Sequence, residues 1–157
     1  MKRLNPDHVA AIKTRVNSSP YFDLLSMEIS SLEQGRSLIE VDVKEKHLQP
    51  YGIVHGGVYA SLVDAAGFWA VYSETVEGAG LTTVEMKLNY LAPASSGRLI
   101  ARGKSIKIGK TLCLSEAAVS DKEGKLLAHG TVSLMMLDSL HFQGQDQSPP
   151  KFVDLKG

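Results

Sequence analysis

Between Val54 and Ser73 the chain carries one charged side chain, Asp64, in a stretch that is otherwise apolar, aromatic or small (VHGGVYASLVDAAGFWAVYS). A run of about 18 apolar residues is long enough to span a bilayer. Here Gly56, Gly57, Ser61 and Gly67 dilute the run, and a carboxylate near mid-bilayer costs about 2.5–3.5 kcal/mol on insertion scales. The segment therefore reads as a helix of a soluble protein, from about Gly56 to Thr75. A helix apolar nearly all round has to be enclosed by other elements of the same fold.

The rest of the chain supplies that enclosure. Val9, Ile12 and Val16 follow Pro6 and Asp7 at helical spacing, which predicts a short amphipathic helix over 5–17. Leu24–Leu32 is a weaker strand candidate. After the Gln34-Gly35 turn, Ile39, Val41 and Val43 alternate with Glu40, Asp42 and Lys44, the pattern of a half-buried strand. Beyond Gly80 the period is again two, with Thr82, Val84, Met86, Leu88 and Tyr90 on one face and Thr83, Glu85, Lys87 and Asn89 on the other. Further strands are expected near 98–108, 111–120 and 125–137, and their short connections imply antiparallel neighbours. From Asp138 the apolar period stops and Pro149-Pro150 opposes regular structure, so 138–157 reads as a mobile tail or a strap on a neighbouring subunit. The expected organisation is an N-terminal helix (1–19), a core domain (20–137) and a C-terminal tail (138–157). Its class is α+β, a curved antiparallel sheet around a central helix.

Composition narrows the function. With 157 residues, 17 Lys+Arg and 17 Asp+Glu, the chain has the size of one domain and no overall field to attract nucleic acid or an anionic membrane. Its single cysteine, Cys113, rules out an internal disulfide and is most simply a core residue. The first ten residues lack the apolar segment of a signal peptide, so the expected compartment is the cytoplasm. The histidines, His8, His47, His55, His129 and His141, are scattered and suggest no metal site.

Chemistry concentrates where the loop Gln49–Gly57 enters the central helix. Free N–H groups and the helix dipole favour a negative oxygen at such a terminus, and the glycines let it approach. The plainer alternative is a glycine-rich helix start capped by His55. Asp64 is the second feature: a carboxylate among core residues is either paired structurally or does a job. Gly56 and Asp64 are eight residues apart, about 12 Å along a helix, too far for one carbonyl to touch both. Two copies of the helix packed antiparallel about a two-fold axis would bring Gly56 of one subunit to Asp64 of the other, twice per dimer.

The run HLQPYGIVHGGVYASLVDAAG, followed by TTVEMKLNYLAPA, resembles the hotdog-fold acyl-CoA thioesterases, especially the phenylacetate-degradation type and relatives acting on 4-hydroxybenzoyl-CoA. The resemblance spans about 20–137 and implies a hotdog fold. It implies that the Gly56 N–H polarises the thioester carbonyl and that Asp64 is nucleophile or general base. It also implies that Gln49 orients thioester or water; many phenylacetate-type members have Asn there, so Gln departs from that pattern, whereas Asp on the helix leans toward it. A hydroxyl at the start of the following strand falls on Thr83, although the alternation puts Thr83 on the polar face. His55 supports the loop, and Gly57 lies beside the substrate. Such a reaction needs no metal and no cofactor, because a thioester has a polarised carbonyl and a good leaving group.

The segment RLIARGKSIKIGK (98–110) holds five cations and no acid. Within it, Arg102 and Lys110 are the candidate contacts to CoA phosphates, against the simpler reading of solvated strand residues. The expected protein is a homodimeric acyl-CoA thioesterase, assembling further as a dimer of dimers (homotetramer), with an aryl or arylacetyl acyl group as one candidate. The rivals are a non-hydrolytic acyl-CoA binding or regulatory module and, fitting less well, a hotdog dehydratase.

Overall fold

A computed structural model describes residues 1–154. The elements run β1 (Lys2–Leu4), α1 (Pro6–Asn17), α2 (Pro20–Leu25), β2 (Met27–Glu33), β3 (Arg36–Asp42), α3 (Gly56–Tyr72), β4 (Gly80–Tyr90), β5 (Arg98–Ile108), β6 (Leu112–Ser120), β7 (Leu126–Leu137) and β8 (Phe152–Asp154). Six strands form one antiparallel sheet in the order β2-β3-β5-β6-β7-β4, and it wraps α3. This is the α+β hotdog architecture, with Leu62, Val63 and Ala66 of α3 fully buried against Ile39, Leu99, Val119 and Leu134 of the sheet. No described helix is long and apolar enough to cross a membrane.

The helix lies close to the sheet because residues without bulk face it. A Cβ on Gly103 would stand 2.1 Å from the Ala66 carbonyl oxygen, and Ser37 Oγ donates to that same oxygen at 2.6 Å. Such an approach leaves no room for a side chain, so α3 is held at one height and rotation over β3 and β5. The helix ends at Tyr72, short of the expected Thr75, where Ser73 caps it and its hydroxyl bonds back to the Ala70 carbonyl at 2.7 Å.

Three local features depart from the sequence reading. The strand expected from Leu24 starts at Met27, because Pro20, with its φ already set for a first helical turn, opens α2; that helix is terminated by Ser26 at φ 54°. The alternation of β4 changes phase. Thr83 pairs with Leu134 and Glu85 with Ser133, leaving Val84 as the extra residue of a bulge. Leu81 and Thr83 face the helix before the bulge, Met86 and Leu88 after it, and Val84 is 49% exposed.

The third departure is the C-terminal segment, which returns to its own chain. β8 pairs antiparallel with β1. The two prolines donate no hydrogen bond but offer carbonyls: Asn5 Nδ2 donates to Pro150 O and His8 Nδ1 to Pro149 O, both at 2.7 Å. Lys151 is 2% exposed, and its Nζ donates to Thr75 O at 2.8 Å and Thr75 Oγ1 at 2.9 Å, 4.0 Å from the Tyr72 ring centroid. Residues 155–157 of the tail lie outside the described residues.

Candidate active site

Asp64 lies on the third turn of α3, half-buried, in a groove of about 450 Å³ between that helix, α2 and β4. Thr83 Oγ1 donates to Asp64 Oδ1 at 2.7 Å. The bulge at Val84 is what turns Thr83 toward the helix, so a hydroxyl that alternation assigns to the polar face becomes the partner of the carboxylate. One carboxylate oxygen is thereby held, and the other is left toward the groove. Ser61, one turn before Asp64, accepts or donates a hydrogen bond with the Tyr21 hydroxyl at 2.7 Å, which docks α2 over this side of the helix.

The helix N-terminus forms a separate groove of about 380 Å³, lined by Gln49, Val54, Gly56, Tyr59 and Tyr90. His55 is the N-cap. Its Nδ1 accepts from the Gly57 N–H at 2.8 Å, and its carbonyl accepts from the Val58 N–H at 2.9 Å. These bonds occupy two of the free donors of the first turn and leave the Gly56 N–H without a partner among the described residues. Gln49 is oriented by its own loop, its Oε1 accepting from the Tyr51 N–H. Burial raises the pKa of the Tyr59 hydroxyl in this groove.

The structure thus brings Asp64 to Thr83, and Gly56 to Gln49 and His55, in two grooves that share no lining residue. Gly57 stands at the same helix start with its N–H committed to His55. Arg102 and Lys110 line neither groove. Arg102 is exposed on the outer sheet face, where its Nη1 donates to Ser120 Oγ at 3.0 Å, in a cleft with Arg36 and Lys104. Lys110 occupies the turn between β5 and β6. Sequence reasoning missed Tyr90 at the mouth of the Gly56 groove and Phe22, Phe68 and Trp69 around Asp64. The signal for Phe68 was its position four residues after Asp64, on the same helix face; Trp69, five residues on, lies off that face and carried no such signal.

A central helix wrapped by a six-stranded antiparallel sheet defines the hotdog fold. The family profile of the thioesterase superfamily matches residues 51–128. The chain is 30% identical over 105 residues to 1,4-dihydroxy-2-naphthoyl-CoA hydrolase of Listeria monocytogenes, covering 67% of this chain and 85% of that one. It is 34% identical over 102 residues to acyl-coenzyme A thioesterase 13 of Homo sapiens, covering 64% and 72%. A solved thioesterase from Haemophilus influenzae has the same fold at a TM-score of 0.80 and 23% identity, over 91% of this chain and 99% of that one. The chain belongs to the thioesterase superfamily, whose reaction class is hydrolysis of a thioester.

Proposed function

We propose that this protein hydrolyses acyl-CoA to the free acid and CoA at two sites per homodimer, each combining the Gln49–Gly57 loop of one subunit with Asp64 and Thr83 of the other. The observation that carries this reading is the division of the chemical groups between two grooves of one chain, each holding half of what the reaction needs. β4, which contributes Thr83, is one of the two edge strands of the sheet, and an edge with unpaired backbone groups is where a second copy can add about a two-fold axis.

In the assembled site the Gly56 N–H binds the thioester carbonyl oxygen, and the partner's helix start stabilises the negative charge that develops there. Asp64 acts as general base, taking a proton from the attacking water, or as nucleophile, forming an acyl-enzyme anhydride that water then opens. In either route the C–S bond breaks, CoA leaves as the thiolate, and the acyl carbon gains an oxygen. Thr83 keeps the carboxylate in its rotamer, and Gln49 orients the thioester or the water. No step calls for a metal or cofactor.

The names of the relatives support a CoA thioester as substrate, and the aromatic walls around Asp64 support an aryl or arylacetyl group. Lys110 fits the CoA phosphates of the site built on the partner's loop. β7 runs from Ala128, beside Tyr90, to Met136, beside Thr111, so about 26 Å of strand separates Lys110 from Gly56 of its own chain. Arg102 is the second candidate for those phosphates. Thiol release from a panel of aliphatic and aromatic acyl-CoAs tests the proposal. Saturable turnover, lost in Asp64→Asn, is the expected result. Tight acyl-CoA binding without thiol release would make the protein a binding or regulatory module.

A further inference from the structure

A second cleft, of about 370 Å³, lies beside the groove around Asp64, and Phe22, Phe68 and Trp69 line both. Phe68 and Trp69 follow Asp64 on α3, so the two clefts lie in succession toward the C-terminal end of that helix. The second cleft is apolar: Val16 of α1, Leu81 of β4 and Tyr72 of α3 complete its sides. Its volume is at the small end of the range for ligand pockets. Asp64 and Tyr72 are eight residues apart, which gives a run of about 12 Å from the carboxylate to the end of the helix.

The far wall comes from outside the segment matched by the family profile. Leu140, His141 and Phe142, on the strap that follows β7, line the cleft at its Tyr72 end. The Phe142 ring centroid is 6.2 Å from that of Tyr72, and the Arg15 guanidinium carbon stands 5.6 Å over the Phe142 ring. Arg15 Nη1 also donates to Gln143 O at 2.6 Å, and the Phe142 N–H donates to Gln145 Oε1 at 3.1 Å.

The strap is pressed onto β4. A Cβ at Gly80 would stand 2.0 Å from the Leu140 carbonyl oxygen, so only glycine admits the strap at this distance. Downstream, the buried Lys151, the His8–Pro149 bond and the β1–β8 pairing tie the strap to the body of the same chain. Lys151 is satisfied by Thr75 and His8 by Pro149 and Tyr72, and together these bonds form a latch.

We propose that the strap is the end wall of the acyl-binding cleft, and that Phe142 sets the size of acyl group the site accepts. The inference rests on the assignment of Asp64 to thioester hydrolysis. A substrate whose carbonyl stands at Asp64 extends past Phe68 and Trp69 and stops at Phe142. The substrate class that fits is a thioester of a compact apolar acid, aryl-bearing or short alkyl, and a long fatty chain meets the wall.

The test is kcat/KM for straight-chain acyl-CoAs of increasing length and for phenylacetyl-CoA, on the wild type, Phe142→Ala and Phe142→Trp, with melting temperatures beside them. The wild type should show a sharp length limit. Phe142→Ala should raise the ratio of long to compact substrates by about tenfold or more, the scale on which a pocket discriminates by size, and Phe142→Trp should lower it. A wild type without a length limit overturns the proposal without recourse to any variant. An unmoved profile in folded variants also overturns it while leaving the hydrolase reading intact. Absence of hydrolysis of every acyl-CoA by the wild type would remove both.

Discussion

Thr83 Oγ1 and Asp64 Oδ1 are 2.7 Å apart, joined by a hydrogen bond that crosses from an edge strand to the central helix. The bond exists because Val84 bulges out of β4 and reverses which residues face inward. It ties the orientation of the carboxylate to the strand on which a second subunit would dock.

Thr83→Val keeps the shape and removes the hydroxyl. Turnover should fall by about 10- to 100-fold, since a slight misplacement of a reacting group costs on that scale, with KM changed less. Thr83→Ser should retain most activity. Equal rates for the Val and Ser variants would show that the bond does not position Asp64.

Asp64→Asn can still accept the Thr83 hydroxyl but offers neither base nor nucleophile. The variant should fold, keep its melting temperature within a few degrees, and lose about 10²–10⁴-fold in kcat. Near-normal turnover in a folded Asp64→Asn protein would end the catalytic assignment. Loss of stability with activity retained would make Asp64 a structural partner.

Division of the site between subunits is open to complementation. Gln49→Ala and Asp64→Ala each damage both sites of their own homodimers. Refolded together in equal amounts, about half of the dimers are mixed, and each mixed dimer regains one intact site. Activity should recover to about a quarter of wild type above the parents, given random exchange and independent sites. No recovery with mixing verified would mean that Gln49 and Asp64 serve the same site from one chain or that one of them is not in the site, and would end the shared-interface mechanism.

Stability should depend on pH through the strap. Burial lowers the Lys151 pKa from its ordinary 10.5 to about 7, against the opposing pull of Glu77. Below about pH 7 folded and unfolded chains both carry the proton, and the folded state bears the full cost of the buried charge. Between about pH 7 and 10.5 the unfolded chain binds the proton and the folded chain has released it, so stability rises with pH. Relative to Lys151→Met, the wild type should gain on the order of a few degrees in Tm as pH rises through that window. Parallel Tm curves for the two proteins would contradict it.

Much of this architecture is legible along the chain. The apolar run around Asp64 required an enclosing shell, and the period of two beyond Gly80 supplied its strands. The glycine-rich entry to α3 marked a helix start with free donors, and the length of the helix kept Gly56 from Asp64. These are local properties: periodicity, capping and rise per residue depend on neighbours a few positions away.

The remaining features depend on residues distant in sequence. Thr83 meets Asp64 because the pairing of β4 with β7 skips Val84, and no count along β4 alone reveals a bulge whose register is set by its partner strand. The tail, in which Pro149-Pro150 opposes regular structure, is held by Asn5, His8 and Thr75, acceptors and donors more than seventy positions away. It thereby carries Phe142 to Tyr72. Hydrogen bonds of this kind form only after the helix and sheet have brought both partners to one place, so the sequence contains the residues but not their meeting.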